Sequence, residues 1–173
     1  MMARIVMIGA KAEDWLRVSE SLVKPKKSKG KKSKRRLLEI DLDELWKRII
    51  YLTYNYTCEV CGKYFPPDPT TGSSTGAQAH HIISRGNFNT RWDPEDGSLL
   101  CGYDHTLSPN SPKRDKTGFI NWLREHRREG LYEDLLKRAG EDGGAKKRTI
   151  LKLIELKDEL IKIKGKLEDE KRR

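Results

Sequence analysis

The chain has 173 residues, of which 35% are hydrophobic and 36% charged, and a formal net charge of +10. That length suits one domain with appendages rather than two full domains, and so polar a composition allows only a modest core. Three cysteines, two of them spaced C-x-x-C, argue against a disulfide framework and for a reduced, cytoplasmic setting with metal-binding or redox use, and no apolar run approaches the roughly 18 residues of a membrane span.

In chain order, a short apolar start (Ile5 to Ile8) leads into a predicted helical segment, together residues 1–23. The run "KPKKSKGKKSKRR", Lys24 to Arg36, holds nine cations and no acid, leaving 27 of the 36 basic residues against 26 acidic ones elsewhere. The basicity belongs to an arm. Its like charges, with Pro25 and Gly30, predict disorder over 24–36, and its cations predict sequence-independent affinity for nucleic acid. The stretch "IDLDELWKRIIYLTY" reads as a helix capped by Asp41 with Glu44 three residues on. Leu42, Leu45, Trp46, Ile49 and Ile50 form its apolar face.

A loop rich in Pro, Gly, Ser and Thr covers 62–77. "QAHHIIS" and "GSLLC" read as short strands, because each is a brief apolar or β-branched run between turn residues, with "DPEDG" as the turn between them. "FINWLREHRRE" reads as a helix ending at Gly130, "LYEDLLKRA" as one stopped by Gly140, and 145–173 as a long amphipathic helix. In that last helix Leu153, Leu156, Leu160, Ile163 and Leu167 recur at intervals of three and four. Such a seam either packs back on its own domain or joins two copies as a homodimer. The expected organisation is α+β, with a central domain over 37–140.

Cys58 and Cys61 can reach one tetrahedral Zn²⁺ from a tight turn, and Cys101 after the second strand adds a third thiolate. The fourth ligand is open between Asp104 and His105, both acceptable to zinc. His80 and His81 are neighbours on a strand, so their side chains point to opposite faces. One can hold a metal while the other stays free as a base, a role suited to a group with an ordinary pKa of about 6.5. Arg85 and Arg91, bracketing "GNFNT", are candidates to grip flanking phosphates.

Taken together, the C-x-x-C, the His-His-Ile strand, "DPEDGSLLC" and a histidine four residues on resemble the HNH endonuclease family with its ββα-metal core. The phrase "HHIISRGNFNTRWDPEDG" looks particularly like the NinG-type recombination nucleases of lambdoid phages. The resemblance is strong from Cys58 to His105 and looser over 41–139. It implies a metal-dependent DNA endonuclease, in phage or mobile-element DNA processing, in which His80 and His105 hold the catalytic cation (Mg²⁺, Mn²⁺, Ni²⁺ or Zn²⁺) and His81 activates water. The family's middle Asn, which is counted with its catalytic residues, falls at Asp96, so Asp96 joins His81 in the expected catalytic set and can brace the same turn. Its fourth zinc cysteine falls at Asp104, and the family pattern favours Asp104 over His105 in the zinc shell. The rival class is a non-catalytic zinc-ribbon protein that binds DNA or RNA, with His105 spent on zinc. A third is a helical scaffold using the Leu153–Leu167 seam. The nucleic-acid contacts expected on the nuclease reading are Arg85, Arg91 and the arm residues Lys26, Lys27, Lys29, Lys31, Lys32, Lys34, Arg35 and Arg36.

Overall fold

The structure, a computed structural model, describes residues 32–140 and 147–173. The expectations for residues 1–23 and for Lys26, Lys27, Lys29 and Lys31 lie outside the described residues. From Ser33 onward the chain forms one compact unit of mixed α+β class, with five helices and one two-stranded antiparallel sheet among the described residues.

Helix α1 spans Lys34–Thr53. Two expectations are corrected here. Ser33, not Asp41, is the N-cap, its hydroxyl accepting from the Arg36 N–H at 3.2 Å, and Lys34, Arg35 and Arg36 are helical rather than disordered. Cations at a helix N-terminus oppose the helix dipole, so something must offset them. Glu39 lies 3.7 Å from Arg35 and 3.4 Å from Arg36, and the Arg35 guanidinium donates to the Arg148 carbonyl at 2.8 Å. Asp41 sits well inside the helix and pairs with Lys157 at 2.7 Å.

Strands β1 (Ala77–His81) and β2 (Gly97–Cys101) pair antiparallel, from Ala77 opposite Cys101 to His81 opposite Gly97. β1 is shorter than the stretch that reads as a strand. After His81 the chain turns, and the Ile82 and Ile83 N–H groups donate to the Asp96 carbonyl (2.9 Å) and carboxylate (2.6 Å). A single 3₁₀ turn, Pro94–Asp96, precedes β2. Gly97 has an unexceptional φ of −101°, so the Asp-Gly step owes nothing to a left-handed turn. The glycine is needed for room, since a Cβ there would lie 2.0 Å from Ile50 Cδ1 and 3.2 Å from Trp46 Cζ2.

β2 is buried along its whole length because both of its faces are covered. Leu99 packs with Leu42, Trp46, Ile49, Ile50 and Trp92, whereas Leu100 packs with Ile82, Phe119, Leu123 and Leu135. The strand therefore reads as a continuous apolar run rather than an alternating one. A short helix α2 (Gly102–Thr106) follows β2, and the second cluster is closed by α3 (Lys116–His126) and α4 (Leu131–Gly140). α3 ends at His126, short of Gly130, and Gly130 takes φ +73° in the link to α4, where its lack of a Cβ avoids strain.

Helix α5 (Ile150–Glu170) covers the first cluster. Leu153 and Leu160 are fully buried, with Leu156 and Leu167 packed at the edge and Ile163 exposed. Burying each of the two leucines contributes roughly 1.5–3 kcal/mol. Contacts from Arg35 to Arg148, Asp41 to Lys157 and Asn55 to Lys171 advance in the same sense along both helices, so α1 and α5 run parallel. Most of the leucine seam is covered within the chain itself. No helix among the described residues is long and apolar enough to cross a membrane.

Candidate metal centre and histidine cleft

The turn "CEVCG" is closed by a hydrogen bond from the Gly62 N–H to the Cys58 carbonyl at 2.9 Å, with Gly62 left-handed at φ +69°. Cys101 ends β2 and caps α2, which carries Asp104. Cys58, Cys61, Cys101 and Asp104 thus bring one ligand atom each to within 4.8 Å of one another. The Cys61 and Cys101 sulfurs are 3.9 Å apart, and Asp104 Oδ2 stands 3.2 Å from the sulfurs of both Cys58 and Cys101. Around a tetrahedral zinc, two sulfurs lie about 3.8 Å apart, and sulfur and oxygen about 3.5 Å. The donor set fits, and the cluster could hold a metal ion such as zinc.

The surroundings agree with that chemistry. The N–H groups of Cys101 and Asp104 donate to the sulfurs of Cys58 (3.3 Å) and Cys101 (3.4 Å), the kind of support that ligating thiolates receive. Burial, then the Asp104 carboxylate, pushes the Cys61 thiol up to about 12, and burial pushes the Cys101 thiol up as well. At Asp104 the hydrogen bonds from the three thiols outweigh burial and hold the carboxyl below its usual range. Acidic groups that hinder one another's ionisation are relieved by a bound cation.

His105 is not part of this cluster. It meets His80, with His80 Nδ1 and His105 Nε2 only 3.2 Å apart. Two imidazole nitrogens at zinc-like distances from one ion stand about 3.3 Å apart at the tetrahedral angle, and about 2.9 Å apart at a right angle. The pair therefore fits two adjacent positions of one cation. Phe119 of α3 packs edge-on against His80 with ring centroids 5.6 Å apart.

His81 belongs to the other side of the strand. Its ring stacks on Trp46 of α1, centroids 3.8 Å apart and planes within 12°, and its Nε2 lies 2.9 Å from the Arg91 carbonyl. A carbonyl can only accept, so Nε2 carries the proton of that bond, and in the neutral ring Nδ1 is left as the acceptor. All three imidazoles are held below the ordinary histidine pKa. Burial lowers His80 to about 4, helped by His105, His81 and Lys116. Burial also lowers His81, against the Arg91 carbonyl, and lowers His105, helped by Lys113. Near pH 7 all three keep a lone pair for a metal or a proton.

His80, His81 and His105 line an open cleft of about 470 Å³ together with Asp43, Trp46, Lys47, Ser84 and Arg85. A larger cavity of about 660 Å³ between Trp92 and α5 is lined by no histidine or cysteine. Asp96 does not line the cleft. It is fully buried and braces the turn after His81 through Ile83, and burial raises its carboxyl to about 7.

The expectation that Arg91 grips a phosphate is corrected. Arg91 is buried, and its Nε and Nη2 donate to the Asp43 carboxylate at 3.0 and 2.8 Å. Arg85 also donates to Asp43, at 2.5 Å, but its side chain is 58% exposed at the rim of the cleft. Of the arm residues within the described range, Lys32 and Lys34 are exposed, while Arg35 and Arg36 are engaged by Glu39. From sequence, Trp46 is expected only on an apolar helix face, and Asp43, Phe119, Lys113 and Lys116 carry no functional expectation. The basic loop "SPNSPKRDK" was the available signal for the last two, and nothing local marks the others. Comparison with protein-family models, curated proteins and solved structures finds no match.

Proposed function

We infer that the chain is a metal-dependent DNA endonuclease of the HNH type, with β1, β2 and α2 as its ββα-metal core. The observation that carries this reading is the 3.2 Å pair of His80 and His105 in an open cleft beside His81, whose Nδ1 makes no hydrogen bond among the described residues. Asp104 sits with the cysteines, which leaves His105 for the second centre. On this reading the cysteine cluster holds a structural zinc and the histidine pair a catalytic divalent ion.

A cation held by His80 and His105 would stabilise charge developing on the phosphate and its leaving oxygen. His81 Nδ1 accepts the proton of the attacking water, while the Arg91 carbonyl and the Trp46 ring fix the imidazole in orientation and tautomer. Arg85 at the rim, with Lys113 and Lys116, supplies positive charge for the flanking phosphates, and the basic run adds sequence-independent affinity.

Plasmid nicking with added Mg²⁺, Mn²⁺, Ni²⁺ or Zn²⁺ tests the reading. The unmutated protein should nick with at least one of them, and His81→Ala should be slower by about 10²–10⁴-fold with DNA affinity and melting temperature retained. A base acts on water in the transition state and contributes little to ground-state binding. A protein that binds DNA but cuts it with none of these metals would instead be a zinc-ribbon binder.

A further inference from the structure

Asp43 lies on α1 one helical turn before Trp46, so both side chains share a face. Its carboxylate is only 16% exposed and accepts four hydrogen bonds: two from Arg91, one from Trp92 Nε1 at 2.8 Å, and one from Arg85. A half-sequestered carboxylate beside a cleft meant for phosphate would repel its own substrate. Two guanidinium groups on one carboxylate leave that corner net positive instead. The bidentate Arg91 contact is also directional, because a planar fork on a carboxylate fixes orientation as well as distance. Arg91 also rests against two rings, its guanidinium 4.8 Å from the Trp92 centroid and 5.6 Å from that of Phe88.

The backbone of that same Arg91 presents the carbonyl that receives the His81 Nε2 proton. A line of contacts therefore runs from the Asp43 carboxylate through the Arg91 side chain and backbone to the His81 ring. Trp46, from the same face of α1, closes the flat side of that ring and donates its own Nε1–H to the Asp93 carbonyl at 2.8 Å. One face of α1 thus sets both the plane and the tautomer of the imidazole.

We propose that Asp43 is a positioning residue of this centre: it locks Arg91 so that its carbonyl holds His81 in the Nε2–H tautomer, and it tethers Arg85 at the rim with donors left for a phosphate. The proposal rests on the nuclease reading for its catalytic meaning, and on geometry alone for the tautomer. Asp43 does not touch the reacting atoms, and without it the Arg85 charge stays at the rim while a negative charge is lost, so its loss should slow turnover rather than weaken binding.

The test pairs two readouts on the full chain. Two-bond ¹H–¹⁵N spectra of the histidine rings report which nitrogen carries the proton, without any need for activity. In the unmutated protein His81 should be the Nε2–H form, and in Asp43→Asn it should become a tautomer mixture. Steady-state nicking should show kcat lowered about 10- to 100-fold in Asp43→Asn with KM unchanged or lower. Arg91→Lys, which keeps the charge but loses the bidentate fork, should give a similar loss, and the double variant little more than either alone, as expected for residues acting in one chain. Asp43→Glu, which restores the carboxylate, should recover part of kcat. If Asp43→Asn leaves the His81 tautomer and kcat unchanged while the unmutated protein cuts DNA, the proposal is overturned and the nuclease reading stands. If the tautomer shifts but no protein cuts with any metal, the role of Asp43 in holding His81 stands and the nuclease reading falls.

Discussion

The two ends of β2 lie beside two opposite kinds of site. At its C-terminal end, Cys58, Cys61, Cys101 and Asp104 crowd four ligand atoms to within 4.8 Å of one another. Near its N-terminal end, opposite Ser98 and Gly97, His80 and His81 open onto a cleft with room for water and phosphate. A closed set of four protein ligands stabilises a fold, whereas a site with few protein ligands and open positions can bind and transform a substrate. Asp104 joins the cysteine cluster while its neighbour His105 meets His80, so an Asp at this position leaves the next histidine free of the cysteine corner.

Breaking the closed side should have the largest effect on stability. The small second cluster leans on the cysteine corner, since Cys58 and Cys101 are themselves among its buried members. Cys58→Ser, or a strong chelator, should lower the melting temperature by more than about 10 °C, because structural zinc sites contribute several kcal/mol to folding and each kcal/mol is worth a few degrees. An identical melt with and without chelator would mean that the corner is not a staple. The cleft should behave in the opposite way, with His81→Ala removing activity and leaving the melt in place.

A smaller effect sharpens the comparison at Asp96, the residue that joins the two regions by bracing the turn after His81 and leading into β2. Burial raises its carboxyl to about 7, above its usual value near 3.9. A group raised in the folded state contributes its full stability below about pH 4 and loses it as pH rises through about 7. Asp96→Asn keeps a carbonyl oxygen for the Ile83 N–H without a charge to bury. It should match the parent below about pH 4 and exceed it at pH 8 by up to about 4 kcal/mol, measured by denaturant melts across that range. An Asn variant less stable than the parent at pH 8 would contradict the assigned role.

The smallest effect concerns neither site. Truncating Lys24–Lys32 just before the Ser33 cap removes six lysines. If half of them contact phosphates, the slope of log K against log salt should fall by about 3, at roughly 0.9 per contact. An unchanged slope would make the run a linker.

How much of this was legible from residues follows the range of the interactions. The C-x-x-C spacing and a third cysteine after an apolar run pointed to the cysteine corner, because a turn and a strand end are local features. "GSLLC" matched β2 residue for residue, and the opposite facing of His80 and His81 follows from the two-residue period of a strand. The start of α1 was hidden because a run of cations looks disordered until Glu39 and the distant Arg148 carbonyl are placed against it. The burial of Arg91 was hidden for the same reason, since its partner Asp43 is far away in sequence and sits on another element. Gly97 read as turn chemistry, yet its requirement is the closeness of Ile50. Local periodicity announces elements; which carboxylate meets which arginine is decided by packing.

The division between the two sites is tested most directly by counting ions in the protein and in His105→Ala. Elemental analysis of the purified chains, followed by calorimetric titration with Mn²⁺, measures the tightly held zinc and the exchangeable ion separately. One zinc per chain is expected in both proteins, with a Mn²⁺ site present in the parent and lost in His105→Ala. Loss of the zinc itself in His105→Ala would put that histidine in the cysteine corner and contradict the separation of the two centres.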